Sequence, residues 1–161
     1  MNKNAEVWIK ALRSGEYSQI TGSLSKTERD GSGSEETGFC CLGVACDLFN
    51  KFIMIEGELD RWVSPERKTY NDSGSSIFVR QFKDDSVSGE CGYEDAQLPH
   101  EVQSWLGLTS NSGEFKESIG DLYSLADLND TLTYSFDEIA DIIEKEPDGL
   151  FIVAKERVEL V

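Results

Sequence analysis

The most reactive side chains in this 161-residue chain are four cysteines and one histidine. Cys40, Cys41 and Cys46 lie in "GFCCLGVACDLF", the most hydrophobic run of a polar chain, and Cys91 stands apart in "SGECGYED". A four-thiolate zinc site would need all four to converge. The chain has no C-x-x-C pair, and adjacent Cys40 and Cys41 on a helix would point about 100° apart. No metal ion is expected. A thiol nucleophile is the second chemistry. A helix N-terminus stabilises a thiolate through its dipole and free amides, which suits Cys40 or Cys41, with His100 further along as base. Against this, His100 follows Pro99 at a helix start, and buried cysteine most often serves as a small hydrophobe.

Carboxylates offer acid–base or metal chemistry, but their pattern is that of a solvated surface. Asp137, Glu138, Asp141 and Glu144 share the polar face of one helix, Asp127 and Asp130 sit in "DLND", and no D-x-D-x-D-G loop is present. No cofactor is expected. Nucleotide motifs are also absent, since "GSGSEETG" lacks the Lys-Ser/Thr of a P-loop. Anions can be held without one. The amides of Gly38, Phe39 and Cys40 open the cysteine-rich helix, and Gly38 permits close approach. Arg13, Arg61 and Arg80 could supply charge, and Trp8, Tyr17 or Trp62 could stack a base. Each alone has an ordinary alternative: ion pairing for the arginines, core packing for Trp8.

Four helices must position these groups. In residues 4–13, Ala5, Trp8, Ile9 and Leu12 make one apolar face. Residues 39–52 carry two apolar stripes, the pattern of a central, buried helix, with Thr37 available as its cap. Residues 99–106 start at a proline and stop at Gly107. Residues 135–146 open with a Ser135–Glu138 capping box and end before Pro147. Residues 121–130 read as a short helix or turn. Residues 26–38, "KTERDGSGSEETG", read as a mobile polar loop, and 53–97 as an irregular, strand-bearing insertion. Residues 76–82, "SIFVRQF", are the clearest strand. The expected fold is α+β and a single domain over 1–161: helices around 39–52, with a small antiparallel sheet from 76–82 and the C-terminal residues.

Charge bounds the partners. The formal net charge is −16, and the segment 84–148 holds 17 acids against two bases, while the remainder is nearly neutral. Such a field repels nucleic acid and anionic membrane, so neither is expected as a direct partner. It suits a basic protein surface instead. The start of the chain has no apolar signal region, and no run is long enough to span a bilayer, so a cytoplasmic protein is expected.

The order of motifs adds a resemblance. "WIKALRSGEY", "GFCCLGVACDLF", "LPHEVQSWLGL" and "LADLND…SFDEIADIIE" resemble a family of small, uncharacterised tailed-phage proteins. The likeness covers both ends of the chain but not its middle, and the Gly/Ser stretch before Gly38 departs from it. It implies expression in an infected bacterial cytoplasm. By analogy with other small phage accessory proteins, it implies a non-enzymatic binder that counters host defence. Three expectations follow. One is a binder of a small nucleotide signal, using Trp8, Arg13, Tyr17, Gly38, Phe39, Cys40, Arg61 and Arg80. The second is an acidic, protein-binding inhibitor of a host defence protein, with DNA mimicry as one way it could act. The third is a thiol-dependent hydrolase using Cys40 or Cys41.

Overall fold

A computed structural model describes residues 1–63, 68–70, 74–84 and 92–153. The fold is mixed α+β. Helix α1 (Lys3–Arg13) is capped by the Asn2 side chain, which accepts from the Ala5 N–H, and it buries the expected face of Ala5, Trp8, Ile9 and Leu12. Helix α2 (Cys41–Ile55) is buried along most of its first ten residues. It packs against α1, α3 (His100–Leu106) and α4 (Leu125–Asp130). Helix α5 (Phe136–Glu144) packs on α1 and α4, and both bonds of the Ser135–Glu138 capping box are made. Trp8, Leu42, Leu106, Leu125, Ile139 and Leu150 are all fully enclosed in this core.

The main sheet is larger than expected. Its strands are β1 (Ser18–Gln19), β2 (Ser25–Arg29), β3 (Glu35–Phe39), β4 (Trp62–Val63), β5 (Lys68–Tyr70), β6 (Ser76–Asp84) and β7 (Gly92–Glu94). The order is β1-β3-β2-β6-β4, and β5 and β7 also pair with β6. All pairings are antiparallel except β1 with β3. Strands β8 (Glu114–Lys116) and β9 (Leu122–Ser124) form a separate hairpin before α4. The expected C-terminal strand falls largely on 154–161, outside the described residues. Within them, Phe151 makes a single bridge to Leu108.

Two expectations about the middle of the chain are corrected. Residues 26–38 are not a loop: they form most of the β2–β3 hairpin, whose turn is closed by Asp30 accepting from the Ser32 and Ser34 N–H groups. Neither strand alternates polar and apolar residues cleanly, because both faces of the hairpin are half-exposed near its tip. The cap of α2 is Cys40 rather than Thr37. The chain stays in β conformation through Phe39, and the Cys40 sulfur accepts from the Gly43 N–H at 3.3 Å.

Two glycines set how tightly these layers meet. A Cβ on Gly43 would lie 1.8 Å from the Leu24 carbonyl oxygen, so only glycine lets α2 lie on the chain entering β2. A Cβ on Gly38 would lie 2.3 Å from Ile20 Cγ2. The space that Gly38 leaves is therefore filled by Ile20.

Candidate functional site

The start of α2 is sealed. Cys40 N–H donates to Leu24 C=O at 3.1 Å, Cys41 N–H to Asn129 Oδ1 at 3.2 Å, and Val44 N–H to Cys40 C=O at 3.0 Å. Of the amides expected to seat an anion, that of Cys40 is thus spent on the fold, and Gly38 and Phe39 lie within β3. Asn129, itself buried, also accepts from Gln19 Nε2 and donates to Ile20 C=O, which locks β1 and α4 over the helix end.

The thiols are in the wrong state for nucleophilic attack. Burial pushes the Cys40 thiol up to about 12 and holds those of Cys41 and Cys46 well above the ordinary value. Desolvation here outweighs the amides at the helix start, the reverse of an activated cysteine. His100 lies exposed at the start of α3, and its backbone N–H donates to Asp84 Oδ2. Among the described residues, no group of three or more potential metal ligands clusters. Cys91 lies outside the described residues.

The expected binding residues divide into those that scatter and those that converge. Trp8 is fully buried, and its Nε1–H donates to Cys41 C=O at 2.9 Å, so it is a core residue. Arg13 reaches from α1 to Asp141 and Glu144 on α5, at 2.6 and 2.9 Å. Arg61 is buried, paired with Glu101 and Glu58, and lies over the Phe49 ring. None of these three faces the others. A cavity of about 560 Å³ between Met1, Leu106, Glu146 and Phe151 contains none of the expected residues.

Tyr17, Phe39 and Arg80 do converge, with Trp62 between them. β2 pairs Ser25 with Phe39 on one side and with Arg80 on the other, so the three side chains share one row of the sheet face. The rings of Tyr17 and Phe39 meet edge to face at 5.2 Å, and those of Phe39 and Trp62 at 5.9 Å. Trp62 in turn meets Phe82 edge to face at 4.9 Å, which roots the cluster in the core. The Arg80 guanidinium lies 4.5 Å from the Trp62 ring centre and 5.8 Å from that of Phe39.

The organiser of the cluster is Asp47, on α2. Its Oδ2 accepts from Tyr17 Oη–H at 2.8 Å and its Oδ1 from Trp62 Nε1–H at 3.1 Å. Lys51, one turn further along, pairs with Oδ2 at 3.0 Å, donates to Tyr17 Oη and sits over the Tyr17 ring. One carboxylate therefore fixes two rings and one ammonium. Asp47 was not among the candidate residues, although it is the one charged side chain in "GFCCLGVACDLF". A charge in a helix that is apolar nearly all round must find partners, and that was the available signal.

Arg80 makes no close ion pair among the described residues, and the Asp47 and Asp60 carboxylates act on its charge only from a distance. It is half-buried, and burial pulls its pKa below the usual arginine value. Its hydrogen bond within the described residues goes to Ser25 Oγ at 3.2 Å, and no carboxylate there lies within ion-pair distance. A guanidinium carries five N–H donors in a planar fork. Stacked on an indole, a guanidinium keeps its edge N–H groups available as donors.

The fold and this face together define a mixed α+β domain with a half-buried aromatic and cationic cluster at the junction of its sheet and central helix. The chain belongs to the family described as a domain of unknown function, DUF8296, whose model matches residues 1–147. No curated protein and no solved structure matches it. Among the described residues, no helix is long and apolar enough to cross a membrane.

Proposed function

We propose that this protein is a non-enzymatic binder of a small nucleotide, and that the Tyr17–Phe39–Trp62–Arg80 face is its site. One observation carries the reading: a half-buried guanidinium stacked on Trp62 and Phe39 with no carboxylate partner among the described residues. Aromatic faces suit a base and the open fork suits a phosphate. Lys51 adds a second cation at the rim. The near-neutral first half of the chain supplies every member of this face, away from the acidic segment. The resemblance to small tailed-phage proteins supports a setting in an infected bacterial cytoplasm, where sequestering a nucleotide second messenger would blunt host defence. The buried, neutral thiols favour binding over hydrolysis.

The test is a thermal-shift and calorimetric screen against mononucleotides, cyclic di- and trinucleotides, linear dinucleotides and ADP-ribose derivatives. At least one should raise the Tm, and Arg80→Gln should abolish that shift while leaving the unliganded Tm within a few degrees. No shift with any member, or a shift that Arg80→Gln leaves intact, would overturn the assignment.

A second reading rests on a different surface. Glu114, Asp127 and Asp130 rim a groove of about 380 Å³ floored by Tyr123 and Ala126, and Ile119 and Leu122 on the adjoining hairpin are 77% and 63% exposed. Acid beside exposed apolar surface fits an inhibitor that docks on a basic host protein. Capture of such a partner that persists in Arg80→Gln but is lost at high salt would favour it.

A further inference from the structure

The Arg80 row is one of three on the same sheet face, and another is centred on a second arginine that lies on a ring. Strand β2 sets the rows. Ser25 lies between Phe39 and Arg80, Thr27 between Thr37 and Phe78, and Arg29 between Glu35 and Ser76. Alternate residues of a strand share a face, so Ser25, Thr27 and Arg29 point the same way, as do Phe78, Arg80 and Phe82 on β6. The Arg29 guanidinium lies 5.6 Å from the centre of the Phe78 ring. The motif at Arg80, a guanidinium on an aromatic face, therefore repeats four residues along β2, about 13 Å away at the rise of an antiparallel strand. Between the two, the Thr27 and Thr37 hydroxyls meet at 2.9 Å, half-exposed and able to donate or accept.

The two arginines differ in how they are compensated. Arg80 has no carboxylate partner among the described residues, whereas Arg29 is held by Glu35 through both Nε and Nη2. That pair is half-exposed, so its net contribution is small and an incoming phosphate can exchange with the carboxylate. A compact ligand at Arg80 would not reach Arg29. A ligand with two phosphates along an extended backbone would, and its second base would lie over Phe78.

We infer that the site extends along this face from Arg80 to Arg29, and that its ligand is a short linear oligonucleotide rather than a mononucleotide or a compact cyclic one. This rests on the reading of the Arg80 face as a nucleotide site. Arg80 with Trp62 is the first subsite, and Arg29 with Phe78 the second, with the Thr27 and Thr37 hydroxyls facing the ribose that joins the two phosphates.

The test is calorimetric titration of the full chain with AMP, 5′-phosphorylated linear diadenylate and cyclic diadenylate. The linear dinucleotide should bind at least tenfold tighter than the other two. Arg29→Gln should remove that advantage and leave AMP affinity unchanged. Glu35→Gln, which frees Arg29, should raise affinity for the linear dinucleotide severalfold and leave AMP unchanged. A folding defect would lower both ligands together and could not produce the gain in Glu35→Gln. Equal affinity for AMP and the linear dinucleotide, tighter binding of the cyclic one, or Arg29→Gln weakening AMP as much as the dinucleotide would overturn the second subsite while leaving the first. Failure of all three ligands to bind would remove the Arg80 reading itself, and the extension with it.

Discussion

Helix α2 has two regions that looked alike in chemical promise and differ completely in what surrounds them. Its first turn carries the thiols and the free amides of a helix start, yet each of these groups is enclosed or spent on a neighbour. Its second and third turns carry Asp47 and Lys51, which hold aromatic rings at the edge of the sheet, with Arg80 half-buried beside them. A reactive residue type is only potential. Burial without a charged partner turns a cysteine into filler, while a carboxylate that must be satisfied gathers donors and builds a surface around itself.

Thiol reactivity gives the widest separation between the two regions. In a Cys91→Ser variant, only Cys40, Cys41 and Cys46 remain. With the Cys40 thiol pushed up to about 12, its thiolate population at pH 8 falls about a thousandfold below that of a free cysteine, and burial lowers those of Cys41 and Cys46 as well. Alkylation by iodoacetamide should therefore be slower than in urea by at least that factor. Native-state labelling at the free-cysteine rate would mean that the first turn of α2 is open, and the contrast drawn here would collapse.

How far this contrast could be read beforehand depends on range. Local signals were legible: the apolar face of α1, the capping box of α5 and the burial of α2 each lie within one turn or two. The β2–β3 hairpin was not, because "KTERDGSGSEETG" carries no alternation and pairs through backbone groups that any side chain permits. For the site, Tyr17, Trp62 and Arg80 were legible as types able to stack or bind an anion, whereas Phe39 was read only for its amide and not for its ring. Their convergence depends on pairings between residues 14 to 55 positions apart, which no local pattern encodes. Trp8, Arg13 and Arg61 were of equally suitable type and went instead to the core and to ion pairs.

Adjacent positions on α2 sharpen the comparison at the level of stability. Asp47→Ala removes the acceptor of Tyr17 Oη–H, Trp62 Nε1–H and Lys51, and should cost about 2 kcal/mol, the usual range for hydrogen bonds to a charged group. Cys46→Ala removes one buried sulfur and should cost about 1 kcal/mol. Urea unfolding followed by tryptophan fluorescence would measure both. Only the Asp47 variant should also shift the native emission, because Trp62 loses its partner. Equal costs with unchanged native spectra would deny Asp47 its organising role.

The smallest effect belongs to Arg13, the arginine that shared Arg80's expected role but not its surroundings. Its exposed guanidinium pairs with Asp141 and Glu144 through Nη2, and it holds the Glu144 carboxyl below the usual carboxylate range. A carboxylate whose folded pKa is depressed stabilises the fold above its unfolded pKa and loses that contribution as pH falls through the folded value. Arg13→Ala should therefore lower Tm only slightly at pH 7, leave it unchanged at pH 2–3, and flatten the acid limb of the Tm profile between. Ligand-induced shifts should match those of the wild type at every pH. If Arg13→Ala weakened ligand binding as Arg80→Gln does, the α1–α5 face would belong to the site, and the division between spent and open cations would be wrong.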